Sequence, residues 1–340
     1  MEKRITATVH EEEILNTFLR RQLDMTKHQI RQAKFRENGI CVNGERAYTN
    51  RHLLPGDIVQ VYLEGPQPIT LPPSPMHVDV HILYEDDDLI AVTKPSGIVI
   101  HPSHGHYTGC LGNMLADYYR QQDIATKIRP IGRLDKDTSG IMIFAKNQVC
   151  AARLYEQKKC GRFQKEYLAI VNGTPELPSG TIRSGICKDE TTLMKMKIDP
   201  DAPPSITHYE TLRTSGDHAL VALKLETGRT HQIRVHMASI GHPLVGDALY
   251  GATPVADLTL NAAPSGGPAA AIDAPATALQ TAAQTALCKC AAPLQPGITR
   301  TALHAWKCSL IQPFSGAPLS LEAPLPEDMK LLAFQLFAAI

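Results

Sequence analysis

The spacing of hydrophobic and polar positions changes several times along the chain, and the changes divide it. Ile14, Phe18 and Leu19 fall at helical spacing behind the acidic run Glu11 to Glu13, which predicts a short first helix. A second helix is expected over about 26–37, with Thr26 as its cap and Asn38-Gly39 as its stop. Ile40 to Arg46 reads as a strand and hairpin turn, and Leu54 to Leu63 as a turn followed by an alternating strand. Residues 65–76 contain five prolines, a stiff extended linker that marks a boundary. Beyond it, 78–84 and 89–94 read as strands and 111–120 as a helix. Ile141 to Ala145 has the composition of a buried strand. A helix over 149–159 and a strand over 164–171 follow. Residues 173–205 read as turn-rich, 208–214 and 218–226 as a hairpin, 241–251 as a loop and 302–310 as a strand. A short apolar helix ends the chain.

Residues 252–299 break every period. They hold 15 alanines in 48 positions and three formal charges, and read as a flexible or partly helical insertion. Cys288 and Cys290 within it read as a reduced pair rather than a ligand set. A length of 340 residues allows two or three domains. Positive and negative side chains balance at 34 each, so no global basic field points to nucleic acid, and any such binding must come from local patches. Two patches stand out. Arg20 to Arg36 carries six Lys or Arg against one Asp, and Arg129 to Glu166 carries nine against four acids. With no membrane-spanning apolar run and no signal-peptide core at the N-terminus, a cytoplasmic protein is expected. Its eight scattered cysteines should then be reduced. The stretch holding His101, His104, His106 and Cys110 matches no zinc spacing and reads as a loop, so no metal is expected there.

The candidate chemistry gathers in Arg133 to Gly140, a charged knot between two apolar runs. Asp135 sits beside Arg133 and Lys136, and an ionised, positioned carboxylate can act as nucleophile or base. On its own spacing the knot reads as a strand-leading turn, with Asp137, Thr138 and Ser139 bonding the backbone. Tyr167, taken alone, is a core aromatic. Arg229, His231, Gln232, Arg234 and His236 crowd into eight residues, a density that core packing explains poorly. No Walker or dinucleotide glycine motif is present.

Two resemblances join these pieces. TKHQIRQAKFRENGICVNGERAYTNRHLLPGDIVQVYL resembles the small RNA-binding module of a small-subunit ribosomal protein and many RNA-modifying enzymes. It implies that Arg20, Lys27, Arg31 and Lys34 approach RNA phosphates. KPSGIVIHP, GRLDKDTSG, KEY and TGRTHQIRVHMASIGHPLVGD, in that order, resemble the RluA-type RNA pseudouridine synthases over about 78–250 and 301–328. That resemblance implies an α+β fold, a mixed, largely antiparallel sheet with flanking helices, in agreement with the strand-rich pattern. It divides the chain into an RNA-binding module at 1–64, a Pro-rich linker at 65–77 and a catalytic domain at 78–340 with the insertion at 252–299.

The implied reaction converts uridine to pseudouridine in structured RNA and needs no cofactor. Asp135 is then the catalytic carboxylate and Arg234 the arginine that pairs with it. Tyr167 stacks on the detached uracil and assists proton removal, and Arg133 steadies the flipped nucleotide. Arg229, His231 and Gln232 contact phosphate or loop. Gly132 stands where many relatives have His, which bears on the substrate subgroup. Large-subunit ribosomal RNA is the first expectation for the target and transfer RNA the alternative; no membrane or obligate protein partner is evident. The rival readings are a catalytically inactive RNA-binding or ribosome-assembly protein, which would usually lose the Asp, Tyr or Arg, and a carboxylate glycosidase, which would need a second acid.

Overall fold

The computed structural model describes residues 3–64, 67–75, 79–102, 108–192, 194–251 and 298–337. His104 and His106, Cys288 and Cys290, and nearly all of the alanine-rich insertion lie outside the described residues. The N-terminal unit contains β1 (Lys3–Thr8), β2 (Glu13–Ile14), α1 (Leu15–Arg21), α2 (Lys27–Lys34), β3 (Ile40–Val42), β4 (Glu45–Arg46), β5 (His52–Leu53) and β6 (Ile58–Glu64). Four of its strands form one sheet in the order β1-β6-β3-β4. Thr26 caps α2 as expected, in a reciprocal box with Gln29. The helix stops at Lys34, short of the expected 37.

The remainder comprises β7 (His81–Glu85), β8 (Leu89–Lys94), α3 (Leu111–Gln121), β9 (Arg129–Pro130), β10 (Ser139–Ala145), α4 (Gln148–Lys159), β11 (Gln164–Asn172), β12 (Ser179–Lys188), β13 (Met196–Ile198), β14 (Pro204–Ser215), β15 (His218–Leu225), α5 (Gln232–Ser239), β16 (Leu303–Ile311), β17 (Pro318–Glu322) and α6 (Glu327–Phe337). Eleven strands make one mixed sheet, ordered β13-β12-β14-β15-β11-β16-β10-β8-β7, with β17 on β16 and β9 on β10. Its pairings are antiparallel except β10 with β16. The α+β expectation therefore stands.

Both faces of the centre are covered, which explains the unbroken apolar runs. Ile90, Val92, Met142 and Phe144 share a core with α3, while Leu89, Ala91, Ile141 and Ile143 face the opposite way onto Cys150 and Leu154 of α4. Residues 173–205 depart from the turn-rich expectation, because β12 runs through them. Its glycines hid it. A Cβ at Gly180 would lie 2.7 Å from the Tyr209 ring, so the strand needs glycine where a neighbour comes close.

The linker is docked rather than free. Asn113 Nδ2 donates to the Pro72 carbonyl at 2.9 Å, and Asp117 accepts the Ser74 N–H at 2.7 Å. The N-terminal unit also packs on α4. Val149 joins its core, and Arg153 donates to the Leu23 carbonyl at 2.6 Å.

Candidate active site

The position of β16 creates the site. It inserts between β10 and β11, so that Ala305 pairs with Gly140 on one side and Tyr167 on the other. Segments far apart in the chain thereby meet at one end of the sheet. The approach at Gly140 is so close that a Cβ there would sit 2.2 Å from the Ala305 carbonyl oxygen, at a φ of +116° that side chains rarely adopt. This explains the glycine that closes GRLDKDTSG.

The loop carrying Asp135 is fastened from below. Lys94, fully buried, donates to the carbonyls of Pro95, Ile98 and Lys136, each at 2.8 Å. Burial pushes its ammonium down to about 7, against the pull of Asp137 and Asp135. Arg300 donates to the Asp137 carbonyl at 3.1 Å and forks onto Asp328. The Thr138 N–H closes a turn onto the Asp135 carbonyl at 3.2 Å. Ser139, buried, bonds His304 Nδ1 at 2.8 Å, and His304 Nε2 reaches the Ala323 carbonyl at 3.3 Å. The turn reading was thus correct about the backbone, and the turn holds Asp135 with its side chain 24 % exposed.

Asp135 opens onto a cavity of about 580 Å³, within the roughly 300–1,000 Å³ usual for ligand sites. Arg133, Tyr167, Arg229, His231, Gln232 and Arg234 line it too, so one space gathers every residue expected at the catalytic centre. Lys158 and Lys165 add to its cationic wall. Lys165 Nζ donates to the Ile141 carbonyl at 2.7 Å, and burial pushes its pKa down to about 8. Tyr167 is buried. Burial, reinforced by the Asp135 charge, raises its hydroxyl well above the ordinary phenol range. It is therefore unsuited to act as a base at neutral pH, and its ring is the useful part. Arg133 is exposed and donates to the Thr230 hydroxyl across the cavity mouth.

Besides the help with proton removal expected of Tyr167, two expectations need correction. Arg234 does not pair with Asp135. Its guanidinium forks onto Asp247, Nε to Oδ2 at 2.6 Å and Nη2 to Oδ1 at 2.7 Å. Burial opposes its charge, but the bond to Asp247 outweighs that and its pKa is raised. Asp247 is fully buried and also accepts the Leu249 and Tyr250 N–H groups, so a bidentate partner was already fixed in place. Asp135 influences Arg234 through space only.

Gln232 is not free to contact substrate. Its oxygen accepts the Thr227 hydroxyl at 2.9 Å and the Arg229 N–H at 3.0 Å, and its nitrogen donates to Ile206 O and Thr207 Oγ1 at 2.9 and 3.1 Å. With every polar atom engaged, it shapes the loop entering α5. His236 is likewise buried against Thr207. The density of THQIRVH therefore has two causes, because one side of the helix lines the cavity and another ties it to the sheet.

The N-terminal cations lie elsewhere. Arg20, Lys27, Arg31 and Lys34 line a separate groove of about 400 Å³ between α1 and α2, with Phe35, 75 % exposed, at its edge. None of the four has a carboxylate partner among the described residues.

Comparison with known proteins fits this geometry. Residues 88–239 match the family model described as RNA pseudouridylate synthase. The chain is 33 % identical over 301 residues to the uncharacterized RNA pseudouridine synthase YhcT of Bacillus subtilis, covering 88 % of this chain and 85 % of that one. The chain belongs to the RNA pseudouridine synthase family. It is also 33 % identical over 294 residues to ribosomal large subunit pseudouridine synthase D of Yersinia pestis, with 86 % and 81 % covered. Among solved structures, human RNA pseudouridylate synthase domain containing 1 aligns at a TM-score of 0.51 and 26 % identity, covering 74 % of this chain and 86 % of that one. As a member, this protein is an isomerase of RNA that forms pseudouridine.

Sequence reasoning passed over several parts of this synthase's site. Lys94 and Asp247 lay in the motifs and Tyr250 in the loop just after them, and none received a role. A lysine ending the apolar strand LIAVTK, and an Asp and Tyr inside the glycine-bounded turn GDALYG, were the available signals. Arg300 and His304 had none, since the residues they hold beneath the Asp135 loop lie more than 160 positions away.

Proposed function

We propose that this synthase modifies a uridine in large-subunit ribosomal RNA, with Asp135 as its catalytic carboxylate. The observation that carries the reading is the placement of Asp135, fastened from below and facing a cationic cavity that Tyr167 also lines. The C1′–N1 bond of uridine breaks, C1′ rejoins the base at C5, the C5 proton is lost and N1 gains one, so no redox partner is required. A stacked uridine cannot reach a recessed carboxylate, so the nucleotide leaves its stack and enters the cavity. Tyr167 offers the uracil an apolar face, and the exposed Arg133 is placed to steady the displaced strand. Arg229 contacts phosphate at the rim.

The groove of Arg20, Lys27, Arg31 and Lys34 is read as a phosphate track, with residues 1–64 as the RNA-binding module. Its four cations, none with a carboxylate partner among the described residues, and the neighbouring exposed Phe35 support that reading. The relative named for the large ribosomal subunit supports ribosomal RNA as the target, and a cytoplasmic site of action goes with it. No described helix is long and apolar enough to cross a membrane.

The deciding experiment is Asp135→Asn. Pseudouridine formation on RNA should vanish with RNA affinity retained, and persistent turnover would remove Asp135 from the mechanism. Mapping pseudouridine across total RNA, with and without the gene, identifies the target; loss of a transfer RNA site alone would overturn the ribosomal assignment.

A further inference from the structure

His231 enters α5 in an unusual way. It occupies the cap position with φ 54°, ψ 20°, in the left-handed region, and its side chain caps nothing. That backbone turns the imidazole toward the cavity. Its Nδ1 lies 3.0 Å from the Tyr250 hydroxyl, and the two rings meet edge to face, 5.7 Å apart. The Tyr250 oxygen also accepts the Met196 N–H at 2.9 Å. With that N–H on the oxygen, the hydroxyl proton has one acceptor among the described residues, His231 Nδ1. The arrangement that satisfies all three groups leaves the imidazole proton on Nε2.

Nε2 lies 4.0 Å from Asp135 Oδ2, too far for a direct hydrogen bond, and shares the cavity with that carboxylate. Tyr250 is itself held. Its N–H bonds Asp247, and the Arg234 guanidinium lies 5.1 Å from its ring centre. Asp247, Arg234, Tyr250 and His231 thus form a chain of contacts that ends at Asp135.

We propose that His231, fixed as its Nε2–H tautomer by Tyr250, donates a hydrogen bond to the uracil as the base leaves C1′ beside Asp135. Whatever displaces it, the base departs with the electron pair of the C1′–N1 bond, and the charge spreads onto its carbonyl oxygens. A fixed N–H donor in a half-enclosed cavity stabilises such an anion without reorganising. His231 transfers no proton in this role. Burial lowers its pKa against the opposing pull of Asp135, with Arg234 and Arg133 also disfavouring the cation and Asp247 favouring it, so it stays neutral near pH 7. Gln232 and His236, on the helix it opens, are occupied within the protein and Arg234 is forked onto Asp247, whereas His231 Nε2 has no hydrogen-bond partner among the described residues and lies 4.0 Å from Asp135. Tyr250 is a positioning residue.

This rests on the reading of Asp135 as the catalytic carboxylate, and the tests separate the two. In His231→Ala the single-turnover rate should fall by about a hundredfold, as for loss of one donor to a developing anion, while RNA affinity stays within about threefold. Equal losses of rate and affinity, or an unchanged rate, would overturn the proposal. Nitrogen-15 NMR of the wild-type protein should show the Nε2–H tautomer at His231, and Tyr250→Phe should mix the tautomers and slow turnover with an unchanged thermal transition. A wild-type Nδ1–H tautomer would refute the orientation directly. If Asp135→Asn retained turnover, the site reading would fail while the tautomer result stood.

Discussion

His304 lies fully buried beneath the loop of Asp135, and burial pushes its imidazole down to about 4 from an ordinary 6.5. The bond to the Ala323 carbonyl works against that shift, and Arg300 adds to it. The folded state therefore holds His304 neutral, while the unfolded chain takes up a proton as pH drops below about 6.5. Between pH 6.5 and 4 the unfolded state binds more protons, so stability is full above that window and declines through it as pH falls. A shift of 2.5 units, at about 1.4 kcal/mol each, corresponds to about 3 kcal/mol once pH is below 4, and to about 2 kcal/mol already at pH 5. Half-buried His101 and His231 and buried His218 and His236, also lowered by burial, act in the same direction, so the wild-type slope alone does not isolate His304. His304→Gln does, because an amide can keep both partners without titrating. In urea unfolding at pH 8, 6 and 5, the variant should start below wild type and recover about 2 kcal/mol relative to it by pH 5. Curves that fall in parallel over that range would refute a neutral His304 in the fold.

Arg234→Ala leaves Asp247 buried without its counter-charge, so it should cost about 3–5 kcal/mol in chemical denaturation as well as turnover; an unchanged midpoint would contradict the pair. Lys94→Met strands three carbonyls under the Asp135 loop, at about 1–3 kcal/mol each, and should lower both the thermal midpoint and kcat. Gly140→Ala forces a methyl into the Ala305 carbonyl and should leave little soluble folded protein, assessed by expression and circular dichroism. Replacing Arg20, Lys27, Arg31 and Lys34 together by Gln should reduce the slope of log affinity against log salt by about three, at roughly 0.7–0.9 per phosphate; an unchanged slope would remove the groove from the RNA interface.

The local rules were legible in the chain because their partners are close in sequence. Thr26 with Gln29, the apolar runs of β8 and β10, the β14–β15 hairpin and the turn at Asp135 all rest on contacts within a few positions or on a simple period. The four motifs also supplied the family, and with it the gathering of Asp135, Tyr167 and His231. The parts that failed depend on long-range geometry. β12 went unseen because its glycines answer to close neighbours elsewhere, Gly180 to the Tyr209 ring on another strand and Gly185 to the backbone of Asp199 and Ala202. Arg234 was matched to the wrong carboxylate, since a sequence shows which charges exist and not which of two acids lies within 3 Å. Gln232 looked like a ligand-facing amide until Thr207 and Ile206 were seen to occupy it. The spacing of apolar and polar positions determined a strand-rich chain, and the resemblance carried by the four motifs pointed to a synthase. The insertion of β16 between β10 and β11 decided which side chains share its cavity, because only that pairing brings Ala305 against both Gly140 and Tyr167.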